Sequence, residues 1–219
     1  MPASLVVVSG TGTGVGKTWV TAQLVRALKE KGLAVAARKP VQSFDPDEGS
    51  TDADLLAAAG GEESRAVCPA HRSYPIPMAP PIAAQVLGMA PFTMADLVGE
   101  LQLPDTGVAL IESVGGPRSP LASDGDTVSL ADALDPDLVL LVADPALGAI
   151  NATMLAAGAF GSRPVVVFLN RFNARQLIHR TNLEWLTHKA RLRVITDLQR
   201  LAQVVAGLER AAIRAANSA

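Results

Sequence analysis

Residues 5–19 read LVVVSGTGTGVGKTW, and this stretch decides the fold. Leu5–Val8 is apolar and mostly β-branched, the composition of a strand buried on both faces. Gly10, Gly12, Gly14 and Gly16 follow, and Lys17-Thr18 opens a segment with helical spacing. Strand, glycine-rich turn, Lys-Thr and helix in that order make a phosphate-binding loop. Backbone N–H groups and a helix N-terminus cradle phosphate oxygens, the lysine neutralises them, and the threonine hydroxyl reaches a Mg2+ ion. The usual G-x-x-x-x-G-K-[ST] spacing wants glycine at position 11. Thr11 stands there, with Gly10 one place earlier.

Outward from the loop, strands and helices alternate. Val20, Leu24, Val25 and Leu28 give a helix over Thr18–Lys31 that Gly32 closes. Leu33–Ala37 is a second strand ending at Arg38-Lys39-Pro40, which completes a right-handed βαβ unit. That strand is expected beside the strand of the phosphate loop. Val41–Ser50 and Pro69–Pro81 read as loops, with Ser50 or Thr51 capping a helix over Asp52–Ala59. Helices are expected over Ile82–Leu87, Met94–Leu101, Ser129–Leu134, Ile150–Phe160 and Gln176–Ala190. Further strands are Gly107–Ile111, Leu138–Ala143, Val165–Leu169 and Arg193–Thr196, and an amphipathic helix ends the chain. The pattern predicts an α/β fold, a doubly wound, mostly parallel sheet of the P-loop NTPase type, with residues 1–219 as one domain.

Composition narrows the function. Nearly half of the 219 residues are apolar, but only 4% are aromatic, so platforms for stacking bases are scarce. The formal charge of −2 provides no electrostatic footprint for nucleic acid. Cys68 is the single cysteine and forms no intramolecular disulfide, which suits a reducing cytoplasm. No basic region precedes the first apolar run, which is too short for a signal peptide, and no apolar stretch is long enough to span a bilayer. A cytoplasmic protein acting on small molecules, without nucleic acid or membrane, is expected.

In open α/β sheets ligands bind beyond the carboxyl ends of the strands. After the phosphate loop, the groups found there are Lys39, Glu112, Asp144 and Asn170. Glu112 and Asp144 both qualify as the acid that helps to hold Mg2+, a hard cation that takes oxygen ligands. Asp52 and Asp54 qualify too, though near a helix start a carboxylate also favours the helix dipole. His71, His179 and His188 lack metal-ligand spacing, and no G-x-S-x-G elbow is present. Trp19 reads as a packing residue, and nothing marks Cys68 as a nucleophile.

Several separated motifs agree on one family. They are the loop over Gly10–Thr18, Lys39-Pro40-Val41-Gln42-Ser43, Thr51-Asp52-Ala53, Tyr74-Pro75 with Met78-Ala79-Pro80, and Ala83-Ala84. Further on come Glu112 with Gly115-Gly116, Leu147-Gly148-Ala149-Ile150-Asn151, and Leu169-Asn170-Arg171. With these, the chain resembles the dethiobiotin synthetases, ATP-dependent cyclo-ligases of biotin biosynthesis, as far as about Leu186. The resemblance implies Mg2+ on Thr18, Asp52 and Glu112, which decides against Asp144 and Asp54. It implies ATP on Gly14, Val15, Gly16, Lys17, Thr18, Trp19, Glu112, Gly115 and Gly116, with Asn170 reading the adenine. Lys17, Lys39, Thr13 and Ser43 become the catalytic group, and Thr13, Lys39 and Ser43 also touch substrate. Gly148, Ala149, Ile150 and Asn151, supplied across a homodimer, hold the substrate's carboxylate tail. The implied substrates are 7,8-diaminononanoate and CO2. One amine becomes a carbamate that attacks the γ-phosphate, and the second amine then closes the ring.

Some positions depart from the family pattern. Ser113 and Val114 stand in place of Gly-Ala after Glu112, Phe44 in place of a glycine, and Ala152 in place of a histidine. Ser113 and Val114 are expected to add bulk where backbone approaches ligand. A partition-type P-loop switch ATPase is the rival reading, but it wants a second lysine where Gly12 stands. A degenerate or altered-substrate relative of the ligase is the other.

Overall fold

In the computed structural model, which describes residues 2, 4–105 and 107–216, the apolar runs become the strands of one central sheet. β1 (Ser4–Gly10) is buried along its whole length and leads through the glycine loop into α1 (Lys17–Glu30). Then come β2 (Val35–Arg38), β3 (Gln42–Ser43), α2 (Asp52–Gly60), α3 (Ser64–Val67), β4 (Ser73–Tyr74), α4 (Pro80–Val86) and α5 (Met94–Gly99). β5 (Val108–Glu112) is followed by a small hairpin of β6 (Pro120–Ala122) and β7 (Gly125–Asp126), then α6 (Thr127–Leu134), β8 (Leu138–Ala143) and α7 (Ala149–Gly158). β9 (Val165–Leu169), α8 (Leu177–Glu184), β10 (Arg193–Ile195) and α9 (Leu198–Ala216) follow. Among the described residues no helix is long and apolar enough to cross a membrane.

The sheet runs β10-β9-β8-β1-β5-β2, and every pairing in it is parallel. On one side of β1 the chain lays down β2 at the edge and then β5 between it and β1, and on the other it builds outward through β8, β9 and β10. The carboxyl end of β1 therefore lies at the reversal, where such sheets open a crevice. β2 is not the neighbour of β1, contrary to expectation. All five residues of β5 are buried, whereas β2 begins at a half-exposed Val35. A strand buried on both faces belongs inside a sheet, so β5 takes the place beside β1 and β2 the edge.

Side-chain alternation divides the core. Val6, Val8, Leu138, Leu140 and Val142 pack under α1, α2 and α9. Leu5, Val7, Ala109 and Ile111 face α4, α5 and α6 on the other side, where α7 covers Leu141 and Ala143. Burial of each such Leu or Val is worth roughly 1.5–3 kcal/mol, which is why the strand register tolerates no slip. The two segments expected as loops differ in one respect. Gln42-Ser43 and Ser73-Tyr74 pair as a short parallel ladder that brings Ser43 beside Met78, whose carbonyl accepts the Ser43 hydroxyl at 2.5 Å. The helix expected over 176–190 is α8 followed by a π-helical turn, Trp185–Lys189.

Candidate active site

The glycine loop turns where its sequence permits. Gly16 precedes α1 at φ 90°, and a Cβ there would lie 2.2 Å from Asn170 Nδ2, so both backbone and space demand glycine. Asn170 is buried at the end of β9, donates to the Val15 carbonyl at 2.9 Å and accepts the Arg171 N–H at 3.0 Å. Its amide braces the loop from behind. Gly115, at φ 54°, lines the cavity beside Thr13, while Gly116 packs on the backbone of Gly10 and Thr11.

Lys17 opens α1 with its ammonium folded back onto the Gly12 carbonyl at 3.2 Å. Only 8% of the residue is exposed, and burial, followed by repulsion from Lys39, lowers its pKa to about 8. Thr18 follows, and its hydroxyl lies 2.7 Å from Asp52 Oδ1 and 2.8 Å from Glu112 Oε1. Asp52 is the first residue of α2, and Glu112, fully buried, is the last of β5. Lys39, leaving β2 with 1% exposure, places its ammonium 2.8 Å from Glu112 Oε1 and 2.5 Å from Asp52 Oδ2. Burial alone would discharge Lys39, but Glu112 and Asp52 outweigh it and raise its pKa above the ordinary lysine value. For Asp52, burial favours the neutral acid, but the Lys39 charge and hydrogen bond prevail and hold the carboxyl below its usual range.

This cluster offers hard oxygen donors to a cation. The one hydroxyl proton of Thr18 serves Asp52 Oδ1 or Glu112 Oε1 but not both, and Lys39 answers the charge of both carboxylates, so three oxygens of Thr18, Asp52 and Glu112 converge on one point. Two carboxylates and a hydroxyl beside a phosphate-binding loop fit a magnesium-type ion, which takes one or two carboxylates and completes its shell with phosphate and water. No group of three or more His, Cys, Asp or Glu side chains gathers among the described residues, so a zinc-type site has no basis in them.

A cavity of about 650 Å³ opens over the cluster. Thr13, Lys17, Thr18, Lys39, Ser43 and Asp52 line its polar end, and Phe44, Met78 and Val114 its apolar wall. The expected residues thus converge, with exceptions. Asp54 is the N3 partner of a capping box with Thr51 and also binds Ser64, so it serves the start of α2. Asp144 lies 3.6 Å from Arg171 and accepts the Ala146 N–H, apart from the cluster. Trp19 is 54% exposed, which corrects its reading as a packing residue, and it is absent from the cavity wall. Ser113 corrects another expectation. Side chains alternate at the end of β5, so Ser113 turns inward and donates to the Val8 carbonyl at 3.1 Å, adding no bulk to the cavity. Gly148, Ala149, Ile150 and Asn151 form the start of α7 and do not line this cavity within the chain. Cys68 is buried and its thiol is pushed up to about 12, which makes it inert at neutral pH.

Sequence reasoning missed Thr21. Its hydroxyl sits 2.6 Å from Glu112 Oε2, three residues after Thr18 on the same helix face. That spacing was the available signal. Arg171 closes the motif Leu169-Asn170-Arg171. It lies at φ 57° with its guanidinium 3.4 Å from the Gly14 carbonyl.

Residues 4–207 match the family described as AAA domain. The chain is 40% identical over 172 residues to the ATP-dependent dethiobiotin synthetase BioD of Caulobacter sp. (strain K31), covering 76% of this chain and 74% of that one. It is 35% identical over 209 residues to the protein of the same name from Anaeromyxobacter sp. (strain Fw109-5), covering 88% and 92%. Among solved structures, the signal recognition particle receptor FtsY from Elizabethkingia anophelis superposes with a TM-score of 0.54 at 17% identity, over 94% of this chain and 65% of that longer one. At that identity the likeness speaks for the fold alone.

Proposed function

We propose, for a chain that belongs to the ATP-dependent dethiobiotin synthetase family and is an ATP-dependent ligase of biotin synthesis, that it carboxylates 7,8-diaminononanoate with CO2 and closes the ureido ring. One amine takes up CO2 as a carbamate. A carbamate oxygen attacks the γ-phosphorus and ADP leaves, giving a carbamic–phosphoric anhydride. The second amine attacks the carbamate carbon, the ring closes, and phosphate departs. No protein nucleophile takes part.

The observation that carries this reading is the convergence of Lys17, Lys39, Thr18 and Asp52 at the polar end of one cavity, with the buried Glu112 bonded to Thr18 and Lys39 behind them. Anionic carbamate and triphosphate repel each other, so the protein must supply positive charge where negative charge develops. In this reading Lys17 and the amides of Gly14–Thr18, with Trp19 behind them, hold the phosphates, and Thr13, Lys39 and Ser43 hold the carbamate. Gly115 and Gly116 keep the backbone close, and Asn170, which braces the loop at Val15, reads the adenine. Mg2+ on Thr18, Asp52 and Glu112 would supply charge neutralisation to the β- and γ-phosphate oxygens. The test is phosphate release and product mass with ATP, bicarbonate and diaminononanoate, each omitted in turn. Phosphate release should require all three, with a product carrying one added carbonyl. ATP hydrolysis indifferent to the amine would sink the ligase reading and favour a switch ATPase.

The whole chain is proposed to work as one ligase domain in the cytoplasm and as a homodimer. Leu147 at 91% and Leu155 at 69% exposure leave apolar surface on and beside α7, as a subunit interface would require. Gly148–Asn151 would then present helix N–H groups to the substrate's carboxylate tail of the partner site.

The inward turn of Ser113 separates the two departures after Glu112. Ser113→Gly should leave kcat and KM unchanged and cost about 1 kcal/mol through the lost bond to Val8 and the added backbone freedom. Val114→Ala should alter KM for the amine, because Val114 lines the cavity. Kinetics and melting temperatures of the two single variants check this, and a Ser113→Gly change in KM would contradict it.

A further inference from the structure

Glu112 is held unequally by its two oxygens. Oε1 faces Thr18 and Lys39, each at 2.8 Å, while Oε2 turns into the protein and meets the Thr21 hydroxyl at 2.6 Å. Thr21 is fully buried on α1, and its hydroxyl also lies 2.9 Å from the Lys17 carbonyl. Its one proton serves one acceptor. A helix carbonyl at that position already receives the N–H four residues on, and a carboxylate makes the stronger, charge-assisted bond. The proton therefore goes to Glu112.

We propose that Thr21 is a positioning residue that sets which dication the site prefers, by committing one oxygen of Glu112 to the protein and leaving the other to face the cation. This rests on the reading of Thr18, Asp52 and Glu112 as metal ligands. A carboxylate that offers one oxygen suits a small octahedral ion such as Mg2+. Ca2+ takes about six to eight oxygens and uses carboxylates through one or both. With Thr21 silent, the carboxylate is free to turn both oxygens outward, and the larger ion gains.

The experiment is calorimetric binding of a non-hydrolysable ATP analogue in Mg2+ and in Ca2+, with wild type, Thr21→Val, Thr21→Ser and Glu112→Gln. Wild type should bind more tightly with Mg2+. Thr21→Val keeps the shape and removes the proton, and should narrow the Mg2+ to Ca2+ ratio by roughly tenfold to a hundredfold. Thr21→Ser keeps the hydroxyl and should retain the wild-type ratio. Thr21→Ala replaces the valine variant, with the same expectation, if that protein does not fold. A wild-type ratio in Thr21→Val, or a ratio lost as fully in Thr21→Ser, overturns the proposal while leaving the metal site standing. Wild-type binding indifferent to both cations, or unchanged by Glu112→Gln, removes the metal reading and this proposal with it.

Discussion

Lys39→Ala should lower amine-dependent turnover by roughly a hundredfold to a thousandfold while ATP binds almost as before, the scale of losing one preorganised charge at a developing anion. Lys39 is 1% exposed, and its ammonium bonds to both carboxylates of the cluster. Alanine removes the cation proposed to meet the carbamate and leaves Glu112 buried without its partner. Breaking a buried pair costs about 3–5 kcal/mol, but Asp52 is partly open to water, so the lower end applies here. A melting curve separates that loss from the catalytic one. The pKa of Lys39 is raised in the folded state, so its stabilisation is fully present below the unfolded value and fades as pH rises through the folded one. The stability gap between wild type and variant should thus stay constant from neutral pH to about 10 and close only above it. Equal losses in ATP affinity and turnover would assign Lys39 to the nucleotide instead.

Lys17→Ala should abolish measurable turnover and weaken triphosphate binding by at least roughly tenfold to a hundredfold, since a buried charge-assisted bond to phosphate is lost. The pKa of Lys17 adds a signature that truncation alone cannot mimic. With an ammonium that loses its proton near pH 8, much of the free protein at pH 9 carries neutral Lys17. An arriving triphosphate stabilises the charged form, so binding at pH 9 should take up about one proton and at pH 6.5 almost none. Calorimetry in two buffers of different ionisation enthalpy at each pH measures the uptake, and Lys17→Ala should show none at either. The folded-state pKa lies below the unfolded one, so Lys17 makes the free protein less stable as pH falls from about 10.5 through 8. Uptake unchanged in the variant, or full affinity in a folded Lys17→Ala protein, would contradict the assignment.

The local structure was legible in the residues. Leu5–Val8 and Leu138–Ala143 are runs that only a doubly buried strand accommodates, and Gly16-Lys17-Thr18 announces the loop because its chemistry is carried by neighbours in sequence. Thr51 with Asp54 spells a cap within four residues. Motifs at matching positions then carried the family. The strand order was another matter, since β2 and β5 compete for the place beside β1 and only the burial of all five β5 residues decides it. The family resemblance chose Glu112 over Asp144 and Asp52 over Asp54, while the meeting of Thr18 with Asp52 across 34 residues and with Glu112 across 94 depends on the fold. The same holds for Ser113, whose inward turn follows from pleat alternation at a strand end, and for Thr21, whose partner lies 91 residues away. Chain neighbours set backbone torsions and caps through short-range sterics and hydrogen bonds. Which distant side chains share a buried point is set by how the strands are ordered, and that order is chosen by the burial of the whole core.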